Sequence, residues 1–216
     1  MFATRRELMI GTTGLVLAGS LAGCSNAGSG DANGEDPSDM AIGPADAKVR
    51  VIEYASVTCP HCAAFHKQVW PQLRTNYIDG GKIRFVFREF PTPPQEVALA
   101  GFQVARCAAA GNAERYFAVI DVLFEQQETI FAAMQKNGVR DELLRIAQAA
   151  GVSPEAFEQC ISDPEGPKRV AATVAKAQTL KVDGTPSIFI NGEKQGNDSL
   201  SYAGLSKLLD AKLAAS

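Results

Sequence analysis

VIEYASVTCPHCAAFH, residues 51–66, decides the fold. A run rich in β-branched and aromatic residues gives way to two cysteines, Cys59 and Cys62, with Pro60 and His61 between them. Extended to residues 48–56, KVRVIEYAS reads as a buried strand. From Pro60 to about Asn76 there is no glycine, and Phe65, Val69 and Leu73 recur at spacing four, which predicts an amphipathic helix with a kink or boundary at Pro71. Cys59 therefore falls where strand meets helix. Unpaired N–H groups and the positive end of the helix dipole gather there and favour a thiolate. Cys62 lies one turn on, within reach for a disulfide. Pro60 presets the first turn, and His61 adds positive charge beside the sulfur when protonated. Each unit of pKa depression is ~1.4 kcal/mol of preference for the thiolate. Such a preference stabilises the reduced form and makes the disulfide oxidising.

Working outward, Gly80-Gly81 makes a turn and KIRFVFREF, residues 82–90, is a second strand, so the first half reads as a parallel βαβ unit. Residues 94–180 read as helical throughout, punctuated by Gly111, Gly138 and Gly151, with Pro93-Pro94 at the helix start and Ser153-Pro154 as a cap. SIFI, residues 187–190, is a strand, Asn191-Gly192 a hairpin turn, and a short strand and a helix over about 199–214 finish the chain. The expected class is α/β, one domain made from both ends with an all-helical block inserted between them. The parts are residues 41–93, 94–180 and 181–216. Phe85, Phe87 and Phe90 are expected in the core, and His66 on the surface.

Three readings of the cysteine pair compete. A zinc clip would use Cys59, Cys62, His61 and His66, but four ligands packed into two helical turns make a poor tetrahedron, and no second CxxC completes a normal site. Haem attachment needs a histidine after the second cysteine, where Ala63 stands. A purely structural disulfide would close too small a loop to stabilise much through chain entropy. A redox dithiol following a strand is the best reading.

The chain has 216 residues, 46% hydrophobic and 21% charged, with a formal charge of −3. It can bury an ordinary core, and the lack of a basic block argues against a nucleic-acid partner. At the start, Arg5 and Arg6 precede the uncharged run of residues 9–23. That run is short of the roughly twenty residues that span a bilayer, and residues 1–23 read as an export signal. The paired arginines also look like a twin-arginine export motif. Leu21-Ala22-Gly23-Cys24 resembles the lipobox of bacterial lipoproteins, which implies a lipid on Cys24; the alternative is an ordinary cleaved signal. Residues 24–40, rich in Gly, Ser, Asn and Asp, read as a flexible tether.

VIEYASVTCPHCAAFH together with GTPSIFING, residues 184–192, resembles the DsbA family of thiol–disulfide oxidoreductases, over about residues 45–212. The resemblance implies a thioredoxin-like fold with the helical insertion. It makes Cys59 the exposed nucleophile, Cys62 its buried partner, and Pro186 a cis-proline facing the dithiol. Thr185 would offer backbone hydrogen bonds to a substrate strand. Many oxidases of the family have valine there, and threonine also occurs in its isomerase and reductase branches. Glu53 matches an acidic residue that helps move a proton at the buried cysteine. A strand buried on both faces supports that role, the alternative being a solvated strand face. With Cys59–Cys62 as the switch, Cys107 and Cys160 remain, either as a disulfide stapling the helical block of an exported protein or as two buried free thiols.

The expected function is an envelope thiol oxidase that donates the Cys59–Cys62 disulfide to reduced exported proteins. Reoxidation by a quinone-linked membrane protein of DsbB type is expected, without a bound cofactor or metal. The chain would be a monomer on the periplasmic side of a bacterial envelope, held by its lipid. The rivals are a reductase or isomerase of the same fold and a lipid-anchored binding module with a structural CxxC.

Overall fold

A computed structural model describes residues 34–216. The export signal, Cys24 and the first part of the tether lie outside the described residues. The elements run β1 (Met40–Ile42), β2 (Val49–Ala55), α1 (Pro60–Gln68), α2 (Trp70–Leu73), a π-helical turn (Arg74–Ile78) and β3 (Ile83–Glu89). Six helices follow: α3 (Gln95–Ala109), α4 (Ala113–Glu125), α5 (Gln127–Met134), α6 (Val139–Ala149), α7 (Pro154–Ile161) and α8 (Glu165–Thr179). The chain closes with β4 (Ser187–Ile190), β5 (Glu193–Lys194) and α9 (Tyr202–Ala214).

One sheet has the order β1-β3-β2-β4-β5. β2 and β3 are parallel, as the βαβ reading requires, and the other neighbours pair antiparallel. β2 is central, and both of its faces are covered. Side chains alternate along a strand, so Val51, Glu53 and Ala55 face the main core under α1, while Ile52 and Tyr54 face a smaller cluster with Val86, Ala177 and Phe189. Asn191 (φ 48°) and Gly192 (φ 84°) both take the left-handed conformation that a two-residue hairpin turn of this kind demands. Among the described residues, no helix is long and apolar enough to cross a membrane.

Residues 34–40 are packed, not part of the free tether expected from sequence. Glu35 accepts two hydrogen bonds from Arg84 (2.7 and 3.1 Å), Asp39 pairs with Arg88 at 2.8 Å, and Asp36 pairs with Lys176 at 3.1 Å. Arg88 is buried in β3, and a buried guanidinium requires charged and hydrogen-bonding partners. The acidic residues before β1 supply them, so the composition that looked like solvated linker is the counter-charge to two strand arginines. The helix read from Pro60 to Asn76 is interrupted between Gln68 and Trp70, next to Pro71, where a kink or boundary was expected. Pro71 cannot donate to the carbonyl one turn before it, which interrupts the ladder there. Phe85 and Phe87 sit in the core, while Phe90 is half-buried against the smaller cluster.

Candidate active site

Cys59 is the N-cap of α1, with extended backbone (φ −88°, ψ 119°) and Pro60 as the first helical residue. Its carbonyl and that of Val57 both accept from the buried Gln127 side chain (3.2 and 2.8 Å), at the start of α5. Thr58 Oγ1 donates to the Thr92 carbonyl at 2.7 Å, and Ser56 Oγ accepts from the Thr92 N–H at 3.0 Å. These bonds hold the turn that presents the sulfur. Neither Gln127 nor Thr92 was identified from sequence, because each reaches the turn from a distant segment that only the fold brings near.

Cys59 and Cys62 carry free thiols here. Cys59 is 6% exposed and Cys62 fully buried, so a reactant meets Cys59 first. Cys59 Sγ lies 3.3 Å from the Thr185 carbonyl oxygen, to which the protonated thiol donates, and the Thr185–Pro186 peptide is cis. The structure thus sets Thr185 and the cis-proline Pro186 against Cys59. His61 and Pro60 are exposed at the rim. Together with Phe65, Gln68 and Asn197, His61, Thr185 and Pro186 line a cleft of about 620 Å³ beside Cys59.

The electrostatics separate the two sulfurs. A hydrogen bond from the Cys62 thiol is the main cause that takes the Cys59 pKa down to about 5, against the opposing effect of burial. The Thr185 side chain and the backbone N–H groups of Cys62 and His61 add to it. The Thr185 hydroxyl makes no hydrogen bond within the ordinary limits among the described residues, so its pull is that of a nearby dipole. Burial pushes Cys62 well above the ordinary thiol value, helped by the sulfur of Cys59 and the charge of Glu53. Because the Cys59 value is lowered below that of the unfolded chain, ionisation stabilises the reduced folded protein. That contribution is complete above about pH 9 and is lost as pH falls through about 5.

Glu53 is fully buried on the α1 side of β2. One of its oxygens, Oε2, lies 3.1 Å from His66 Nε2; the other, Oε1, has no hydrogen-bond partner among the described residues. His66 was expected on the surface and is instead 5% exposed, stacked on Phe124 with ring centroids 4.1 Å apart. Its Nδ1 lies 3.4 Å from Asp121 Oδ1, and Asp121 Oδ2 accepts from Trp70 Nε1 at 3.1 Å. Burial opposes a charge on the ring, but Glu53 and Asp121 outweigh it and raise the His66 pKa to about 9. Both ring nitrogens are thus engaged by carboxylates. The signal for burial was present in the sequence, since His66 is four residues after Cys62 and shares its helix face.

Cys107 of α3 and Cys160 of α7 are joined as a disulfide with Cα atoms 6.0 Å apart. Of the two alternatives for this pair, the structure contains the bridge.

A family model described as thioredoxin matches residues 35–211. A protein of Rickettsia bellii named protein-disulfide oxidoreductase is 37% identical over 166 residues, which cover 76% of this chain and 61% of that protein. The chain thus spans about six-tenths of the length of that curated relative. A protein of Bacillus anthracis named disulfide bond formation protein D is 29% identical over 185 residues, covering 81% of this chain and 78% of that one. The crystal structure of Wolbachia pipientis alpha-DsbA1 superposes with a TM-score of 0.78 at 27% identity, covering 87% of this chain and 97% of that one.

Proposed function

The chain belongs to the thioredoxin family and has the architecture of its DsbA-type members, and from that premise we propose that it is a thiol–disulfide oxidase of the bacterial envelope. In this reading the oxidised protein carries a Cys59–Cys62 disulfide. A substrate thiolate attacks Cys59 Sγ, the substrate–Cys59 bond forms, the Cys59–Cys62 bond breaks, and Cys62 leaves as a thiolate that takes up a proton. A second substrate cysteine, as thiolate, then attacks the substrate sulfur of the mixed disulfide and releases Cys59. The substrate has gained a disulfide and the protein is left as the dithiol. Glu53 is assigned to the Cys62 proton. Thr185, beside the cis-proline Pro186, is assigned to the substrate backbone by strand-like hydrogen bonding.

The observation that carries the proposal is the Cys59 sulfur at the N-terminus of α1, with a pKa of about 5, facing the Thr185 carbonyl. A thiolate this stable is a good leaving group and a poor electron donor, so the equilibrium favours passing the disulfide on. The partners that follow are reduced exported proteins and a membrane reoxidase of the quinone-linked kind. Residues 1–23 are assigned to an export signal and Cys24 to a lipid, which would hold the domain at a membrane on the periplasmic side.

Thr185 supports the rival reading, a reductase or isomerase on the same scaffold. Equilibration with glutathione buffers separates them. The proposal expects a reduction potential near the about −120 mV of DsbA, whereas a value near the about −270 mV of thioredoxin would replace it with the reductase reading.

A further inference from the structure

Cys62 must gain or lose a proton in every exchange cycle, yet it is sealed from solvent, and Glu53, near enough for its charge to act on Cys62, is fully buried. A buried carboxylate with one oxygen unpartnered calls for an explanation, and at that depth it cannot trade protons with water directly. His66 connects it outward. Two carboxylates face its ring, Glu53 from β2 and Asp121 from α4, while α2, β3 and α4 cover its faces with Trp70, Phe87 and Phe124. Asp121 is the solvent end, with about 31% of its side chain exposed.

We propose that His66 and Asp121 complete a proton route between Cys62 and solvent, in the order Cys62, Glu53, His66, Asp121. This rests on the dithiol reading above and adds two positioning residues to it. When the dithiol closes, the Cys62 proton passes to Glu53 and the Cys62 thiolate attacks Cys59 Sγ within a mixed disulfide. The Cys59–Cys62 bond forms and the thiolate bound to Cys59 leaves. His66 enters the transfer as imidazolium, protonated on both ring nitrogens. After it, with Nε2 facing Glu53 and Nδ1 facing Asp121, the imidazolium releases its Nδ1 proton through Asp121 to solvent, so one proton leaves for the one Glu53 has taken from Cys62, and the neutral ring then turns and takes the Glu53 proton on its bare nitrogen. When the disulfide is donated the same route runs inward, and the Cys62 thiolate is protonated as it leaves.

An aromatic disulfide that releases a coloured thiolate separates the steps. Mixed with the reduced protein, it releases one thiolate when Cys59 attacks and a second when Cys62 closes the Cys59–Cys62 bond. In the wild type both are released. In Asp121→Asn and His66→Gln the first phase is expected to keep its rate. The second is expected to slow on the order of 10- to 100-fold at neutral pH and to become dependent on hydroxide, because the proton then leaves without a relay. Asp121→Asn keeps an oxygen for its neighbours on a half-exposed residue, so it decides the matter should His66→Gln fail to fold. A second phase that matches the wild type at every pH, or both phases slowing together, overturns the route. Release of only one thiolate by the wild type would instead overturn the dithiol reading itself.

Discussion

Replacing Cys59 with serine is expected to reduce oxidation of an unfolded, reduced substrate to the uncatalysed rate, a loss on the order of 10³-fold or more, the scale seen when an enzyme loses its nucleophile. The loss is chemical and not structural. Serine is among the preferred N-cap residues, and position 59 is the N-cap of α1, so the helix and the turn before it should persist. Cys62 cannot take over, since it is fully buried and its pKa is raised by burial and by the Glu53 charge. The complementary Cys62→Ser protein keeps the exposed sulfur and is expected to accumulate a mixed disulfide with substrate, visible as a covalent adduct that reductant releases. Substrate oxidation by Cys59→Ser at the wild-type rate would remove the assignment of this sulfur.

The second large effect is on stability. Cys107 and Cys160 are 53 residues apart in sequence and tie α3 to α7. Closing a loop of that length restricts the unfolded chain by about 4 kcal/mol in the chain-entropy account. For a domain of this size that corresponds to roughly 10 °C in melting temperature. Cys107→Ala with Cys160→Ala is therefore expected to melt roughly 10 °C lower while keeping its Cys59–Cys62 exchange rate below the melt, because neither residue touches the dithiol turn. Paired thermal melts and exchange rates check both parts. An unchanged melting temperature would show that the bridge contributes nothing net.

Much of the dithiol site was legible in one line of sequence because its parts are local. A buried strand, a proline at the first helical position and cysteines one turn apart lie within sixteen residues, and each acts through backbone geometry. Glu53 was legible for a related reason: a carboxylate amid the alternation of a central strand is anomalous, and anomalies stand out. His66 was not, because the amphipathic pattern drawn through Phe65, Val69 and Leu73 left it on the far side. Its place on the Cys62 face, four residues on, carried the better signal. Asp121, Gln127 and Thr92 lie 34 to 70 residues from their partners, and ordinary polar residues on helices and loops announce nothing until the fold brings them together. The segment before β1 was misread for an electrostatic reason. Its acids suit water in isolation, but the arginines at positions 84 and 88 make them part of the folded domain.

The account depends on a thiol held mostly as its anion at neutral pH. Titrating the reduced protein, with thiolate absorbance and the rate of Cys59 alkylation followed from acid to alkaline pH, tests this directly. The account predicts a midpoint near 5, with alkylation already at its plateau at neutral pH. A midpoint near 8.5, the value of an ordinary thiol, would contradict it.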